Sequence, residues 1–268
     1  MANPRGKTIP LSVGRRLVGD LLHYAKRVPS LPLARDCRID LVVRARAETK
    51  PSPSWTAIFM KAYSIVAART PELRQAYIPY PWARLYEHPR SDCAILVERM
   101  VDGDPTVLAA KIIEPASMSL RQIDEHLKRF REDELLSISP FRQVLRLGRY
   151  PKLLRRFAYW ITLYLSGYKR AKRFGTFMMS SLGNLGIEQI HPLTPLTTYL
   201  TFGPIQPDGL VNLKIIYDHR VMDGRTVARA LVELERVLNQ EIVAELRENS
   251  GVGDPKLDVG CQVSKQAA

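Results

Sequence analysis

Cysteine is scarce and scattered in this 268-residue chain: Cys37, Cys93 and Cys261 are odd in number and far apart. That excludes a disulfide framework and a zinc-binding pattern, and predicts inert or buried thiols. There is no run of about 18 uncharged apolar residues, which excludes a conventional membrane-spanning helix. The polar start, Met1 to Lys7, leads into Ile9-Pro10-Leu11 without an apolar signal core. Export is therefore not indicated; a cytoplasmic location is expected, with attachment to a membrane surface left open. The phosphate-cradling G-x-x-x-x-G-K-[ST] loop and the G-x-G-x-x-G fingerprint are both missing, which removes support for nucleotide hydrolysis and hydride transfer. His23, His88, His126 and His191 have no metal-ligand spacing, and no metal is expected.

One absence is local. From Leu135 to Ile187 there is neither aspartate nor glutamate, while ten basic residues lie between Arg142 and Arg173. The whole chain carries +13, and without this stretch it carries +3 (13 minus 10). Basic character belongs mainly to one segment, which localises any anionic partner. The chain is otherwise 46% hydrophobic, enough for one sizeable core in one large domain or two small ones.

Leu17, Leu21, Leu22 and Ala25 recur at helical spacing and predict an opening helix within residues 11–28. Arg38 to Arg44 has strand character. After the break at Pro51-Ser52-Pro53-Ser54, residues 55–69 read as a helix. Strands are expected at Cys93 to Glu98 and Thr106 to Ile112, joined through the turn Asp102-Gly103-Asp104. Ser119-Leu120-Arg121-Gln122 has the form of a capping box, opening a helix to about Arg131. Further strands are expected near Gly175 to Ser181, Thr197 to Phe202 and Leu210 to Tyr217, then a last helix over about Arg225 to Glu248. The polar tail 249–268 is expected to be disordered. This order predicts an α/β domain, a mixed sheet with helices packed on one face.

The chemistry concentrates in Tyr217-Asp218-His219-Arg220-Val221-Met222-Asp223-Gly224. Before it, Leu213, Ile215 and Tyr217 alternate with Lys214 and Ile216, a largely buried strand; after it comes an amphipathic helix. His219 stands where the strand gives way to a tight Asp-Gly turn, from which a rigid scaffold can aim an imidazole into a cleft. Imidazole is the side chain best suited to moving protons near neutral pH. On spacing alone, the competing reading is a solvated histidine at a strand end.

The spelling H-x-x-x-D-G, within D-H-R-V-M-D-G, resembles the catalytic motif of the dihydrolipoamide acyltransferases of 2-oxoacid dehydrogenase complexes, shared by their relative chloramphenicol acetyltransferase. Phe177-Met178-Met179-Ser180-Ser181-Leu182-Gly183-Asn184-Leu185-Gly186 resembles the same family's serine-bearing strand and turn, and the order and separation of the two segments match its layout. The resemblance covers roughly residues 11–247. It implies the coenzyme A-dependent acyltransferase (chloramphenicol acetyltransferase-like) fold and three catalytic-site residues. His219 would be the general base for a thiol, hydroxyl or amine attacking a thioester directly. Ser180 would hydrogen-bond the tetrahedral intermediate. Asp223 would organise the histidine loop, with Arg15 or Arg16 as its candidate partner, and Gly224 would permit the turn.

The resemblance further implies a homotrimer in which histidine and serine from adjacent subunits share one channel, so that Ser180 and His219 are expected to meet across an interface. A coenzyme A thioester is the expected donor. The chain begins almost directly with this domain, so no lipoyl attachment domain and no peripheral-subunit-binding domain are expected in it. That favours a stand-alone acyltransferase supplied by acyl-CoA, an acyl-carrier protein or a separate lipoyl protein. Two rivals stay open: a non-catalytic trimeric scaffold, and a membrane-surface acyltransferase acting on a lipid or envelope precursor.

The chain departs from the family between the helix ending near Arg131 and the strand beginning near Gly175, where the family's connection is much shorter. Here an apparent helical insertion, about 135–174, carries Leu153, Leu154, Phe157, Trp160, Ile161, Tyr164, Leu165 and Tyr168 on one helical stripe bracketed by Arg and Lys. Three uses stay open: an extra helix pair packed on the core, a helix on an anionic membrane surface through 142–173, or a dock for an acidic acyl-carrier protein or the phosphates of coenzyme A. Nucleic acid is disfavoured, since no recognised binding fold accompanies the charge.

Overall fold

The computed structural model describes residues 6–180 and 186–250, with side chains to Glu248. Part of the serine-bearing turn (181–185), Cys261 and the expected tail beyond Ser250 lie outside the described residues.

Ser12 caps α1 (Val13–Ala25) by accepting from the Arg15 amide, and Leu17, Tyr24 and Ala25 turn inward. Strand β1 (Ser30–Arg38) follows, then α2 (Asp40–Glu48). The strand expected at Arg38 to Arg44 is thus corrected. The chain is extended before Arg38 and helical after Ile39, because α2 buries Val42 and Ala45, three apart on one helical face. Helix α3 (Trp55–Arg69) matches its expected limits and starts at Ser54, whose hydroxyl accepts from the Ala57 amide.

A small hairpin of β2 (Gln75–Ile78) and β3 (Arg84–Glu87) comes next. Then β4 (Cys93–Val101) and β5 (Asp104–Ile112) pair across Asp102 and Gly103. These two turn residues have φ of +51° and +83°, the type I′ geometry that suits an Asp-Gly hairpin. The capping box at Ser119 and Gln122 is complete and opens α4 (Leu120–Glu132).

Three helices fill the expected insertion: α5 (Ser139–Gly148), α6 (Lys152–Tyr164) and α7 (Gly167–Phe174). Strands β6 (Phe177–Met179), β7 (Thr198–Phe202) and β8 (Leu210–Asp218) complete the sheet. The expected final helix divides into α8 (Gly224–Val237), a π turn over Leu238–Ile242, and α9 (Val243–Ser250).

The six strands run β1-β8-β7-β6-β4-β5; β4–β6 and β6–β7 are parallel and the other pairs antiparallel. This is the expected α/β fold with a mixed sheet. One sheet face carries Phe177, Met179, Leu200, Leu213 and Ile215 into the main core, shared with Phe59 and Tyr63 of α3 and Leu231 and Leu234 of α8. The opposite face carries Ala94, Met178, Tyr199 and Ile216, covered by Leu196 and Phe174. Strand β8 is therefore buried on both sides, as its near-continuous apolar run predicts.

The basic segment does not behave as one unit. Phe141 and Leu145 anchor α5 in the main core. Helix α6 packs Tyr159 and Leu163 against Tyr24 of α1, with Trp160 and Tyr164 half-buried beside them, so only part of the expected stripe faces inward. Leu153, Leu154 and Phe157 are exposed, and a break after Tyr164 puts Tyr168 on α7. Two of the ten cations are internal. Arg155 is buried and donates to Asp20 at 2.6 Å, and Arg170 is buried with Nη1 and Nη2 on the carbonyls of Tyr77 and Pro195. Among the described residues no helix is long and apolar enough to cross a membrane.

Candidate active site

The end of β8 sets the histidine. Asp218 is fully buried and accepts from the Arg220 amide at 3.0 Å and from Arg220 Nε and Nη2 at 2.9 and 2.7 Å. The Arg220 guanidinium lies over the Tyr77 ring, 4.5 Å from its centre. The residue between them is His219, whose amide donates to the Pro29 carbonyl at 3.1 Å. The strand end is thus pinned on both sides of the imidazole.

The ring itself is oriented by one bond. His219 Nδ1 lies 3.1 Å from the Met222 carbonyl oxygen. A carbonyl can only accept, so Nδ1 carries the hydrogen and the neutral ring keeps its lone pair on Nε2. The Tyr217 ring packs edge-on against it, centroids 5.7 Å apart. The side chain is 45% exposed, open to a reactant. These are the properties a general base needs: a fixed tautomer and an accessible nitrogen.

Asp223 is placed differently from the expectation. Its side chain is 86% exposed, and its carboxylate lies 3.7 Å from His219 Nδ1, beyond a hydrogen bond. Neither Arg15 nor Arg16 pairs with it, and Arg16 Nε donates instead to the Leu11 carbonyl. The carboxylate that orders the loop inside this chain is Asp218, the last residue of β8 and five residues before Asp223. The expected Asp-Gly turn is also corrected. Asp223 is the N-cap of α8 and Gly224 its first residue, without a left-handed φ. A side chain at Gly224 would instead place its Cβ 3.2 Å from the Tyr217 hydroxyl.

Ser180 follows β6 on the less covered sheet face, and it is buried. Its hydroxyl donates to Gln189 Oε1 at 2.6 Å and accepts from the Tyr199 hydroxyl at 2.6 Å. Lys214, level with it two strands away, pairs with Glu188 and donates to the Gln189 carbonyl. Burial pushes the Tyr199 hydroxyl up to about 12, so it stays a donor throughout the neutral range. Tyr199, Gln189 and Lys214 are not legible in the sequence, since β6–β7 pairing, a loop return before β7 and β7–β8 pairing respectively bring them near the serine.

The register separates the two candidates. Met179 is level with Leu200, and Leu200 with Ile215, so Ser180 stands level with Lys214. His219 lies five residues further along β8. At about 3.3 Å per residue along the strands and 4.8 Å per strand across, the two backbones are roughly 19 Å apart, at opposite ends of the sheet. One chain does not bring them together. A cavity of about 230 Å³ lined by Ile9, Leu11, Arg15, Asp104 and Pro105 includes neither.

Neither described thiol offers a nucleophile. Burial pushes Cys37 up to about 12 and Cys93 well above its ordinary value, and both are free and enclosed. Among the described residues no cluster of His, Cys, Asp and Glu is arranged to hold a metal ion.

This architecture is an acyltransferase-type fold. The chain is similar to a dihydrolipoamide acetyltransferase of Azotobacter vinelandii, with 19% identity and a TM-score of 0.65 over 90% of this chain and 94% of that one. It is similar also to a probable dihydrolipoamide acetyltransferase of Listeria monocytogenes (18%, TM-score 0.61, 93% and 97% covered). A third similar structure is the truncated catalytic core of a 2-oxoacid dehydrogenase complex from Thermoplasma acidophilum (17%, TM-score 0.61, 88% and 99% covered). No protein-family model matches this chain, and no curated protein matches it in sequence.

Proposed function

We propose that this protein is an acyltransferase that moves an acyl group from a thioester to a nucleophile, with His219 as general base. The observation that carries the reading is the fixed tautomer at His219: Nδ1 tied to a backbone carbonyl, Nε2 without a hydrogen-bond partner among the described residues, on a strand end clamped by Asp218 and Arg220. The Azotobacter relative supports it. A serine, a histidine and an asparagine are the residues whose roles in that enzyme's catalytic mechanism its structure addresses, and the asparagine follows the histidine by four residues, as Asp223 follows His219.

The steps follow from the groups present. A thiol, hydroxyl or amine approaches the thioester carbonyl, and Nε2 of His219 takes its proton as the new bond to carbon forms. The carbonyl oxygen becomes an oxyanion. Ser180 turns its hydroxyl from Gln189 to that oxygen, while Tyr199 continues to donate to the serine and so strengthens it as a donor. Collapse of the tetrahedral species breaks the carbon–sulfur bond, and the departing thiolate recovers the proton from His219. The donor is a coenzyme A, carrier-bound or lipoyl thioester; seven exposed cations of the 142–173 segment suit its phosphates or an acidic carrier.

The roughly 19 Å between Ser180 and His219 makes the active unit an assembly, with serine from one subunit and histidine from the next. A homotrimer provides this pairing three times by one heterologous contact. A similar structure builds the cubic core of a pyruvate dehydrogenase complex, and cubic symmetry contains threefold axes. The test is thiol release from a panel of acyl-CoA donors with thiol, alcohol and amine acceptors, alongside the mass of the assembly by light scattering. Turnover by a strictly monomeric protein would contradict the shared site.

Tyr199→Phe gives a finer check. It keeps the ring in the Ala94–Met178–Ile216 cluster and removes only the bond to Ser180. Loss of one such bond in the rate-limiting arrangement predicts a fall in kcat of about tenfold, with KM for the thioester little changed. An unchanged kcat in steady-state assays would free Ser180 from this partner.

A further inference from the structure

We propose that α6 and the β2–β3 turn form a docking ridge for an anionic lipid surface. Leu153, Leu154 and Phe157 stand out on α6, with Leu153 81% exposed. Phe157 stacks on Trp160 at 6.2 Å between ring centres, and Trp160 meets Tyr80 at 5.5 Å. Two residues beyond Tyr80, Trp82 is 71% exposed. Leu153, Leu154 and Phe157 share one helix face, and the Phe157–Trp160–Tyr80 contacts join it to the β2–β3 turn, which also exposes Trp82.

The charge around the ridge selects its occupant. Arg149 at the end of α5, Lys152 at the start of α6, and Lys169, Lys172 and Arg173 on the adjoining α7 are exposed, and the chain has no acidic residue from Leu135 to Ile187. Packing a second copy on the ridge would set one such all-basic stretch against another, which costs free energy instead of gaining it. A bilayer with anionic headgroups satisfies both features: cations meet phosphates, and Trp, Tyr, Leu and Phe enter the boundary with the acyl chains. At 13 residues, α6 is about 20 Å long, suited to lying in that plane and too short to cross it. The inward face, Arg155 with Asp20 and Tyr159 with Tyr24, is already satisfied by the protein, so docking needs no refolding. The inference is independent of the catalytic reading.

The test is flotation of the full chain with phosphatidylcholine vesicles and with phosphatidylcholine–phosphatidylglycerol vesicles. Two variants accompany it: Leu153→Ser/Leu154→Ser/Phe157→Ser, and Arg149→Glu/Lys152→Glu. All five side chains are exposed, and circular dichroism checks that each variant is folded. The wild type is expected to float with the phosphatidylglycerol vesicles, less so as salt rises, with a blue shift of tryptophan emission. The triple variant is expected to bind on the order of tenfold more weakly or worse, and the charge-reversed variant to lose its preference for anionic vesicles. Failure of the wild type to float with anionic vesicles overturns the proposal. So does equal binding by the folded triple variant. A triple variant that alters self-association while vesicle binding persists unchanged also overturns it, and gives the ridge to a second copy.

Discussion

Replacing His219 with alanine is expected to lower acyl transfer by about 100- to 10,000-fold, the usual worth of a positioned general base. The fold should survive. The imidazole is partly exposed and contributes one bond from its ring, Nδ1 to the Met222 carbonyl, while the His219 amide bond to Pro29 belongs to the backbone and persists. Asp218 and Arg220 keep the strand end in place, since none of the three bonds between them involves the ring. The loss should fall on kcat, with thioester binding retained, and stopped-flow thiol release measures it. A folded His219→Ala protein working within threefold of wild type would remove the histidine from the chemistry.

Ser180→Ala is expected to cost about 100- to 1000-fold, the range for removing one donor from an oxyanion site. Its structural cost is small. Gln189 Oε1 already lies 3.4 Å from the Tyr199 hydroxyl, so the two remaining groups can close on each other once the serine oxygen is gone. A destabilisation of about 1 kcal/mol follows from exchanging two hydrogen bonds for one. A large drop in kcat beside a nearly constant melting temperature separates an oxyanion donor from a serine that only satisfies its neighbours. Ser180→Thr, which keeps the hydroxyl but adds a methyl group at a buried position, should recover part of the rate.

What the sequence revealed was whatever depends on near neighbours. Helix α3 and the Ser119–Gln122 capping box were legible because periodicity and capping act within one or two turns. Strand β1 was missed because it is an edge strand with Pro32, Arg35 and Asp36 exposed, so its sequence lacks the alternation of a half-buried strand. The run Leu41-Val42-Val43 imitated a strand, yet burial of Val42 and Ala45 on one face made it helical.

The site divides in the same way. His219 and Ser180 were visible in their motifs, whereas Tyr199 and Gln189 reach Ser180 only through strand pairing and a loop return. Asp218 could have been found. An aspartate and an arginine flanking the histidine, with alternate residues of a buried strand leading up to them, place the aspartate inside where it must be paired.

The most direct test of the account is complementation between the two inactive variants. His219→Ala and Ser180→Ala chains are co-expressed in equal amounts and purified as mixed assemblies. Each site then draws its histidine from one chain and its serine from the neighbour, so about a quarter of the sites in a random mixture are intact. The account predicts recovery of about a quarter of wild-type turnover per site from two proteins that are each nearly inactive alone. Mixed assemblies that stay as inactive as their parents would contradict it.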